Sequence, residues 1–299
     1  MPYIRTRKVA RVIALQEVDS TNDAAARFVA GGRLEGEEPW NPEGTTVVTA
    51  ARQTAGRGRL DHTWYSAPGQ SFVCSFVSAV GADLAHDPKI NGWLPMIAGL
   101  ATVDALRATL TDLQLDWVRG SGVFLHPRHN LLLKWPNDIV YHGRKLGGIL
   151  TQMVELPDDP SRVAMVFGVG LNIAVPVGQL PIERSTSWQL ITRPQQPGAP
   201  VPDVATVVDE VASRIVTGLQ QRLWQLGLTP EAYTRDLRSR VSQECWTLGH
   251  DVLVHYADGT TATGMARSIT EDASLTMVDD AGRLRIVHTG DVGILPAGD

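Results

Sequence analysis

The chain has 299 residues, of which 43% are hydrophobic and 20% charged, and its formal net charge is −5. This composition is typical of a globular protein with room for one large and one small domain. The acidic balance argues against a general nucleic-acid-binding protein, since such proteins carry a basic surface. Its two cysteines, Cys74 and Cys245, fit neither a disulfide framework nor a metal site, and no stretch is apolar enough to span a bilayer. We therefore expect a cytoplasmic protein without a membrane partner.

The first motif follows a predicted strand, Val9–Val18. Ser20 with Asp23 three residues later resembles a capping box, which predicts a short helix over Ala24–Ala30. The start of such a helix can present hydrogen-bond donors to a polar ligand. Capping alone is the simpler explanation of these residues.

A second predicted strand, Thr45–Ala51, follows a loop at Gly36–Gly44 and leads into the sequence RQTAGRGRLDHTW. We call this segment, Arg52–Trp64, the Gly-Arg loop. Three arginines in one glycine-bearing loop are costly to hold together unless an anion neutralises them, and the glycines would let the loop order over a bound polyanion. The alternatives are a solvated loop or a short nucleic-acid-binding segment, and the acidic chain argues against the second.

The central stretch is Leu131–Met153, LLLKWPNDIVYHGRKLGGILTQM, which follows a predicted strand, a predicted helix and a loop. It predicts two apolar strands around a Pro-Asn-Asp corner, with a second turn at His142–Arg144. Lys145 opens the last apolar run beside two glycines, and a lysine next to bare backbone suits a phosphate or a carboxylate. A hairpin with two surface lysines is the plain alternative. The preceding elements are Ser71–Val80, Gly92–Leu113 and Arg119–Asn130.

Ser161–Val175 predicts a strand that is broken by the sequence GVGLN at Gly168–Asn172. Two glycines in a strand indicate either a close approach of another group or a bulge. The third glycine of a dinucleotide-binding motif is missing and no helix follows, so a Rossmann fold is excluded. The chain also contains no Walker A motif, nucleophile elbow or zincin motif.

The last third begins with a proline-rich loop or linker at Thr192–Pro202. Asp203 then caps a predicted helix, and a second helix is expected at Glu231–Val241. From Cys245 the composition changes to short strands separated by turn residues, which predicts a small all-β barrel. The predicted strands are Val252–Tyr256, Thr260–Ile269, Leu275–Val278 and Leu284–Thr289.

The motifs, in chain order, are Ser20-Thr21-Asn22, Gln53–Arg59 with Trp64, Lys134–Asp138, Lys145–Leu150 and Gly168–Asn172. Together they resemble the motifs of biotin–protein ligases, and the resemblance extends from about Val9 to the C-terminal barrel. It implies an α+β fold: a mixed sheet with packed helices, similar to class II aminoacyl-tRNA synthetases, plus a small SH3-like β-barrel. The implied domains are a catalytic domain at residues 1–244 and the SH3-like domain at residues 245–299.

The resemblance implies a two-step acyl transfer that uses ATP, Mg²⁺ and biotin. The biotin carboxylate would attack the α-phosphate of ATP, and a lysine of the biotin carboxyl carrier domain of a carboxylase would then attack the resulting biotinyl-5′-AMP. No enzyme nucleophile is needed, in agreement with the missing catalytic motifs. The alternatives are a lipoate or octanoate ligase or transferase, and a non-catalytic regulator that binds biotin or its adenylate.

The resemblance also implies roles for individual residues, with Lys145, Arg57 and Arg59 as the catalytic group. The implied biotin-binding residues are Ser20, Thr21, Asn22, Gln53, Gly56, Arg57, Lys145, Gly148, Gly168 and Gly170. The implied ATP- or adenylate-binding residues are Arg59, Trp64, Lys134, Asn137, Asp138 and Asn172, with Asp138 as a candidate Mg²⁺ ligand. Trp64 has a core role as its alternative, and Lys134 would either touch phosphates or only cover the hairpin.

Two departures from the family pattern stand out. Asp61-His62 occupies the place of a Gly-Arg pair, which puts a phosphate contact of that arginine in doubt, since His62 is positive only when protonated. Fewer than twenty residues precede Ser20, too few for the helix-turn-helix domain of bifunctional relatives. We therefore expect a ligase that binds no nucleic acid, and a homodimer stays open.

Overall fold

The computed structural model describes residues 3–31, 34, 37–60, 62–118, 131–180, 182 and 184–295. Asp61 and the whole predicted Arg119–Asn130 loop lie outside this part of the chain. The helices are α1 Thr21–Val29, α2 Ala82–His86, α3 Trp93–Asp112, α4 Trp188–Ile191, α5 Val204–Leu228 and α6 Pro230–Glu244. The strands are β1 Arg11–Val18, β2 Thr46–Gln53, β3 Ser71–Gly81, β4 Leu115–Trp117, β5 Leu131–Lys134, β6 Asp138–Tyr141, β7 Arg144–Glu155, β8 Arg162–Asn172, β9 Thr192–Pro194, β10 Asp251–His255, β11 Thr261–Ile269, β12 Leu275–Val278, β13 Leu284–Val287 and β14 Asp291–Ile294.

The larger sheet has seven strands in the order β1-β2-β3-β8-β7-β6-β5. β1 and β2 run parallel, and all other neighbours run antiparallel, which confirms the predicted mixed sheet. Apolar side chains of α1 pack on one face, where Phe28 meets Ile13 and Val166. The apolar sides of α3 and α5 belong to the larger core on the other face. The described part of the chain contains no helix that is both long and apolar enough to cross a bilayer.

The stretch predicted as two strands with a second turn forms three strands, β5, β6 and β7. The first corner contains a cis peptide bond between Trp135 and Pro136. The second contains His142 and Gly143, both with positive φ, as a two-residue hairpin turn requires. Because the corner and the turn return the chain on itself, the lysines at the end of β5 and the start of β7 come to lie beside β6.

The predicted break in the strand at Gly168–Asn172 is wrong. β8 runs without interruption from Arg162 to Asn172 and pairs with β3 on one side and β7 on the other. Two complete ladders hold the backbone extended, and the glycines therefore make room above the strand without ending it.

The C-terminal strands form a separate five-stranded sheet in the order β13-β12-β11-β10-β14. The fifth strand, β14, was not predicted, and the predicted Leu284–Thr289 strand ends at Val287. Within the predicted Thr192–Pro202 loop, β9 pairs with β4. The loop between β11 and β12 docks on the larger unit, where the Trp93 and Trp135 indole nitrogens donate to the carbonyl oxygens of Glu271 (2.8 Å) and Ala273 (2.9 Å).

Candidate functional site

A cavity of about 400 Å³ lies where the start of α1, the Gly-Arg loop, β5–β8 and the C-terminal sheet meet. Its volume is in the range of small-molecule sites. All predicted site residues except Gly56 line it: Ser20, Thr21, Asn22, Gln53, Arg57, Arg59, Trp64, Lys134, Asn137, Asp138, Lys145, Gly148, Gly168, Gly170 and Asn172. We call it the ligand cavity. The fold thus gathers motifs that are as far apart as 152 positions along the sequence.

An ion triad of Lys134, Asp138 and Lys145 forms one wall of the ligand cavity. The Lys145 Nζ lies 2.7 Å from Asp138 Oδ1, and the Lys134 Nζ lies 3.1 Å from Asp138 Oδ2. Burial would raise the pKa of Asp138, but the two lysines outweigh it and hold the pKa below its ordinary value. Two ammonium groups around one carboxylate leave a net positive charge for an anionic ligand.

Asp138 does not fit the predicted role of a Mg²⁺ ligand in this arrangement. Both of its carboxylate oxygens already face lysine nitrogens. Across the residues that the structure describes, no group of three or more His, Cys, Asp or Glu side chains is placed to hold a metal ion.

The start of α1 forms a second, polar wall of the ligand cavity. Ser20 is the N-cap, as predicted, and the helix begins at Thr21, three residues earlier than expected. The backbone N–H of Thr21 and its hydroxyl both donate to Gln53 Oε1, at 2.9 and 3.1 Å. Asn22 Nδ2 donates to the Leu150 carbonyl at 2.9 Å, which ties α1 to β7. These bonds fix the polar groups before a ligand arrives.

Ser75 supports this wall and was not among the predicted site residues. Its hydroxyl lies 2.8 Å from Thr21 Oγ1 and 2.6 Å from Asn22 Oδ1, and the residue is completely buried on β3. A buried hydroxyl needs hydrogen-bond partners, and Ser75 finds them in the two site residues. The only signal in the sequence was a serine in the middle of the apolar run SFVCSFV.

Two glycines of β8 face side chains of the site. A Cβ at Gly168 would overlap the amide oxygen of Asn22, and a Cβ at Gly170 would overlap the indole ring of Trp64. Glycine at these positions lets Asn22 and Trp64 lie directly on the strand. The Trp64 ring also faces the ion triad, with the Lys145 Nζ 5.9 Å from its centroid. Gly56 lies behind this layer, where a Cβ would meet the Trp64 carbonyl.

The Gly-Arg loop does not hold its three arginines together, contrary to the expectation from the sequence. Arg52 pairs with Glu17 at 2.8 Å and points away from the ligand cavity, whereas Arg57 pairs with Asp23 at 3.1 Å. Separate carboxylates therefore neutralise these two cations, and no shared anion is needed to keep the loop folded.

Arg59 reaches from the Gly-Arg loop to the C-terminal sheet. Its guanidinium donates to the Gly290 carbonyl and the Thr289 hydroxyl, both at 3.3 Å, and to Asn137 Oδ1 at 3.5 Å. Burial lowers the pKa of Arg59, and the nearby Asp291 and Asp138 carboxylates partly offset this effect. His62 Nε2 lies 3.6 Å from Asp291 Oδ2. The histidine that stands in place of the family's arginine therefore also faces the C-terminal sheet.

Asn172 and the segment after it close the remaining side of the ligand cavity. Asn172 Nδ2 donates to the Thr186 carbonyl at 3.0 Å, and the Thr186 N–H donates to the Lys145 carbonyl at 2.9 Å. Several lining residues were not predicted as site residues, either because they lie beside the assigned positions of a motif or because no motif marks their segment. They are Leu60, His62, Thr63, Tyr65, Val73, Ile149, Leu150, Ile182, Ser185, Asp291, Val292 and Gly293.

Comparisons with known proteins place this geometry in a family. The family model described as "Biotin/lipoate A/B protein ligase family" matches residues 16–172. The chain is 28% identical over 278 residues to the biotin–[acetyl-CoA-carboxylase] ligase of Mycobacterium tuberculosis, covering 92% of this chain and 86% of the relative. It is 32% identical over 170 residues to the bifunctional ligase/repressor BirA of Bacillus subtilis, covering 57% of this chain and 43% of that relative.

A solved structure of biotin protein ligase from Aquifex aeolicus in complex with biotin and ATP shares the fold. Its TM-score is 0.63 at 20% sequence identity, and the alignment covers 96% of this chain and 99% of that chain. The family model covers more than half of the chain, and it includes the α1 wall, the Gly-Arg loop, the ion triad and the β8 glycines. The family inferred from the motifs is confirmed, and the chain belongs to the biotin/lipoate A/B protein ligase family.

Proposed function

We propose that the protein is an ATP-dependent biotin–protein ligase, which joins biotin to one lysine of the carrier domain of a carboxylase. One observation carries the proposal: a single cavity is lined both by two lysines on a buried carboxylate and by the fixed polar wall at the start of α1. The lysines suit the anions of an acyl-phosphate reaction, and the wall suits the hydrogen-bonding head of the acyl group. The similarity to the mycobacterial ligase over 92% of the chain supports the same assignment.

In the first step the biotin carboxylate oxygen attacks the α-phosphorus of ATP, and pyrophosphate leaves with the electrons of the broken P–O bond. Ser20, Thr21 and Gln53 would hold the ureido head, because their polar groups line one end of the cavity. Lys145 would lie between the carboxylate and the α-phosphate and stabilise the charge that builds up on the phosphoryl oxygens. Arg57 and Arg59 would turn their bidentate donors to the same groups.

In the second step the lysine amine of the carrier domain attacks the carboxyl carbon of biotinyl-5′-AMP. The C–O bond to the phosphate breaks, AMP leaves, and an amide forms. Positioning and charge stabilisation are the enzyme's contribution to both steps, since no covalent enzyme intermediate is involved. Magnesium would enter with the triphosphate, which Mg²⁺ binds together with water.

We infer that residues 1–244 form the catalytic domain and residues 245–299 an SH3-like domain that helps to engage ATP or the carrier domain. Support comes from Arg59, which contacts Thr289 and Gly290, and from Asp291–Gly293 in the cavity wall. Asn137, Asn172 and Trp64 would face the nucleotide. That the protein binds no operator DNA stays a prediction, and a homodimer stays open.

The test is the intact mass of a biotin carboxyl carrier domain after incubation with the protein, Mg²⁺-ATP, and either biotin or lipoate. We expect one biotin-sized addition, no lipoyl addition, and loss of the product with Lys145→Ala. Lys89→Ala is the matched control, because Lys89 is an exposed lysine that lines neither cavity described here. A lipoyl addition would assign the protein to lipoate chemistry, and binding of biotin without any addition would make it a regulator.

A further inference from the structure

A second cavity of about 530 Å³ adjoins the ligand cavity. The two cavities share a wall made of Arg57–Leu60, Asn137 and Ile149-Leu150. The second cavity therefore borders the Gly-Arg loop and the Pro-Asn-Asp corner at Asn137, but it is distinct from the ligand cavity. None of the predicted roles uses it.

The lining of the second cavity suits a long aliphatic chain that ends in a cation. Its apolar part is formed by Pro95, Met96, Trp135, Pro136 and Ala273, and its polar part includes Asp23, Asp272 and His288. In the ligand cavity an incoming ammonium group would meet the lysines of the ion triad, whose carboxylate is already shared. Electrostatics thus favours the entry of an amine from the second cavity.

His288 has the hydrogen-bond arrangement of a general base. Its Nδ1 lies 2.9 Å from Ser274 Oγ and 3.4 Å from Asp272 Oδ2, and Ser274 Oγ donates to the same Asp272 oxygen at 3.0 Å. A carboxylate beside Nδ1 favours the tautomer that carries the proton there, which leaves Nε2 as the basic nitrogen. It also stabilises the imidazolium that forms when Nε2 accepts a proton.

We propose that the second cavity receives the side chain of the acceptor lysine, and that His288 accepts a proton from its ammonium group. This inference rests on the ligase function proposed above. The proton moves from the lysine Nζ to His288 Nε2, and the neutral amine then attacks the carboxyl carbon of the biotinyl adenylate. The C–N bond forms as the C–O bond to phosphate breaks, AMP leaves with that electron pair, and the second amine proton passes to solvent.

Four charged residues, Asp23, Arg57, Arg59 and Asp272, line this cavity together with His288. Asp272 faces its ring directly, while Asp23 and Arg57 pair with each other in the wall. Arg59 lies in the shared wall and contacts Thr289, the residue after His288.

The experiment separates the two half-reactions in the full-length protein with His288→Asn. Asparagine retains a polar group near Ser274 and Asp272 but cannot act as a base. We expect adenylate formation, followed as pyrophosphate release, to stay within about twofold of wild type. Transfer from preformed biotinyl-5′-AMP to the carrier domain should fall about 100-fold at neutral pH. The fall should shrink as alkaline pH deprotonates the lysine itself.

Hydroxylamine serves as a second acceptor, because it is uncharged at neutral pH and needs no base to become a nucleophile. Its reaction with the bound adenylate should be the same in His288→Asn and wild type. His86→Asn is the matched control, since His86 is exposed on α2 and lines neither cavity. Unchanged transfer to the carrier domain, or an equal loss with hydroxylamine, would overturn the proposal. If the wild type formed no adenylate at all, the ligase function itself would fail.

Discussion

The cations around the ligand cavity are held in two different ways. Lys134 and Lys145 project from β5 and β7 onto a shared carboxylate, with side chains that are 18% and 32% exposed. Arg57 belongs to a loop, is 58% exposed, and pairs with Asp23 outside the ion triad. The Arg59 contacts measure 3.3–3.5 Å, at the long end of hydrogen-bond distances.

This difference shows which positive charges are already fixed in position before a ligand binds. The sheet and Asp138 fix the two lysines, so little reorganisation is needed when charge develops on a phosphate. Arg57 has one partner in a largely exposed ion pair, and the partners of Arg59 lie at long hydrogen-bond distances. A bound anion can therefore replace these partners at small cost in free energy. We infer a preformed lysine side and an adjustable arginine side, which variants on each side can test.

Lys145→Ala should have the largest effect. Without the ammonium group that we place beside the α-phosphate, adenylate formation should slow about 1,000-fold, as for the loss of a preorganised donor. Pyrophosphate release under single-turnover conditions measures the rate, and the biotin affinity measured beside it separates a loss of binding from a loss of rate. A loss below tenfold would mean that the arginine side carries the charge stabilisation.

Asp138→Asn should affect both stability and rate, because it leaves two lysines without their carboxylate. We expect a loss of roughly 3 kcal/mol in the free energy of unfolding at pH 7, as for breaking a buried ion pair. The pKa of Asp138 is lowered in the folded state, so its contribution is present above the unfolded value of 3.8 and lost as pH falls below it.

Urea unfolding of wild type and Asp138→Asn at pH 7 and at pH 3 checks this sign. The stability difference between the two proteins should shrink at pH 3, because the Asp138 carboxyl of the unfolded wild-type chain takes up a proton below 3.8, whereas the lysines resist its protonation in the folded state. A difference that grows on acidification would contradict a carboxylate held in its charged form by lysines.

Gly168→Ala should perturb the polar wall, because the new methyl group would occupy the space of the Asn22 amide. We expect a destabilisation of about 1–3 kcal/mol, together with weaker biotin binding as Asn22 moves away from Ser75 and Leu150. Calorimetry gives the affinity and thermal unfolding the stability. Gly178→Ala is the control, since a Cβ there would meet nothing within 4 Å.

Arg57→Ala should change stability least, by no more than about 0.5 kcal/mol, because its ion pair with Asp23 is largely exposed. Release of the bound adenylate should nevertheless become about tenfold faster, as the loop loses a bidentate donor to the phosphate. Stopped-flow chase with excess biotin measures this release. A stability loss above 1 kcal/mol would show that the loop is as fixed as the sheet.

The lysine side was predictable from the sequence and the arginine side only in part. Apolar runs ending at Lys134 and starting at Lys145, with turn residues between them, define strands and therefore positions. The partners of Arg57 and Arg59 depend on how a loop lies across α1 and the C-terminal sheet, which no local pattern encodes. Ser75 and β14 were missed for a related reason: the role of each depends on contacts with segments that are distant in the sequence. The glycines of β8 led to a wrong prediction of a broken strand. A glycine that makes room for a neighbouring side chain and a glycine that interrupts a strand cannot be told apart in the sequence.

Two indole hydrogen bonds hold the loop between β11 and β12 against the larger unit, and their protons can report whether the C-terminal sheet is docked. The Trp93 and Trp135 N–H groups donate to Glu271 and Ala273, and both rings are buried. In an NMR spectrum, these two indole protons should exchange slowly with deuterium as long as the C-terminal sheet stays docked. Their exchange rates, compared with those of amides inside β8, would measure how often the C-terminal sheet separates from the seven-stranded sheet and its helices.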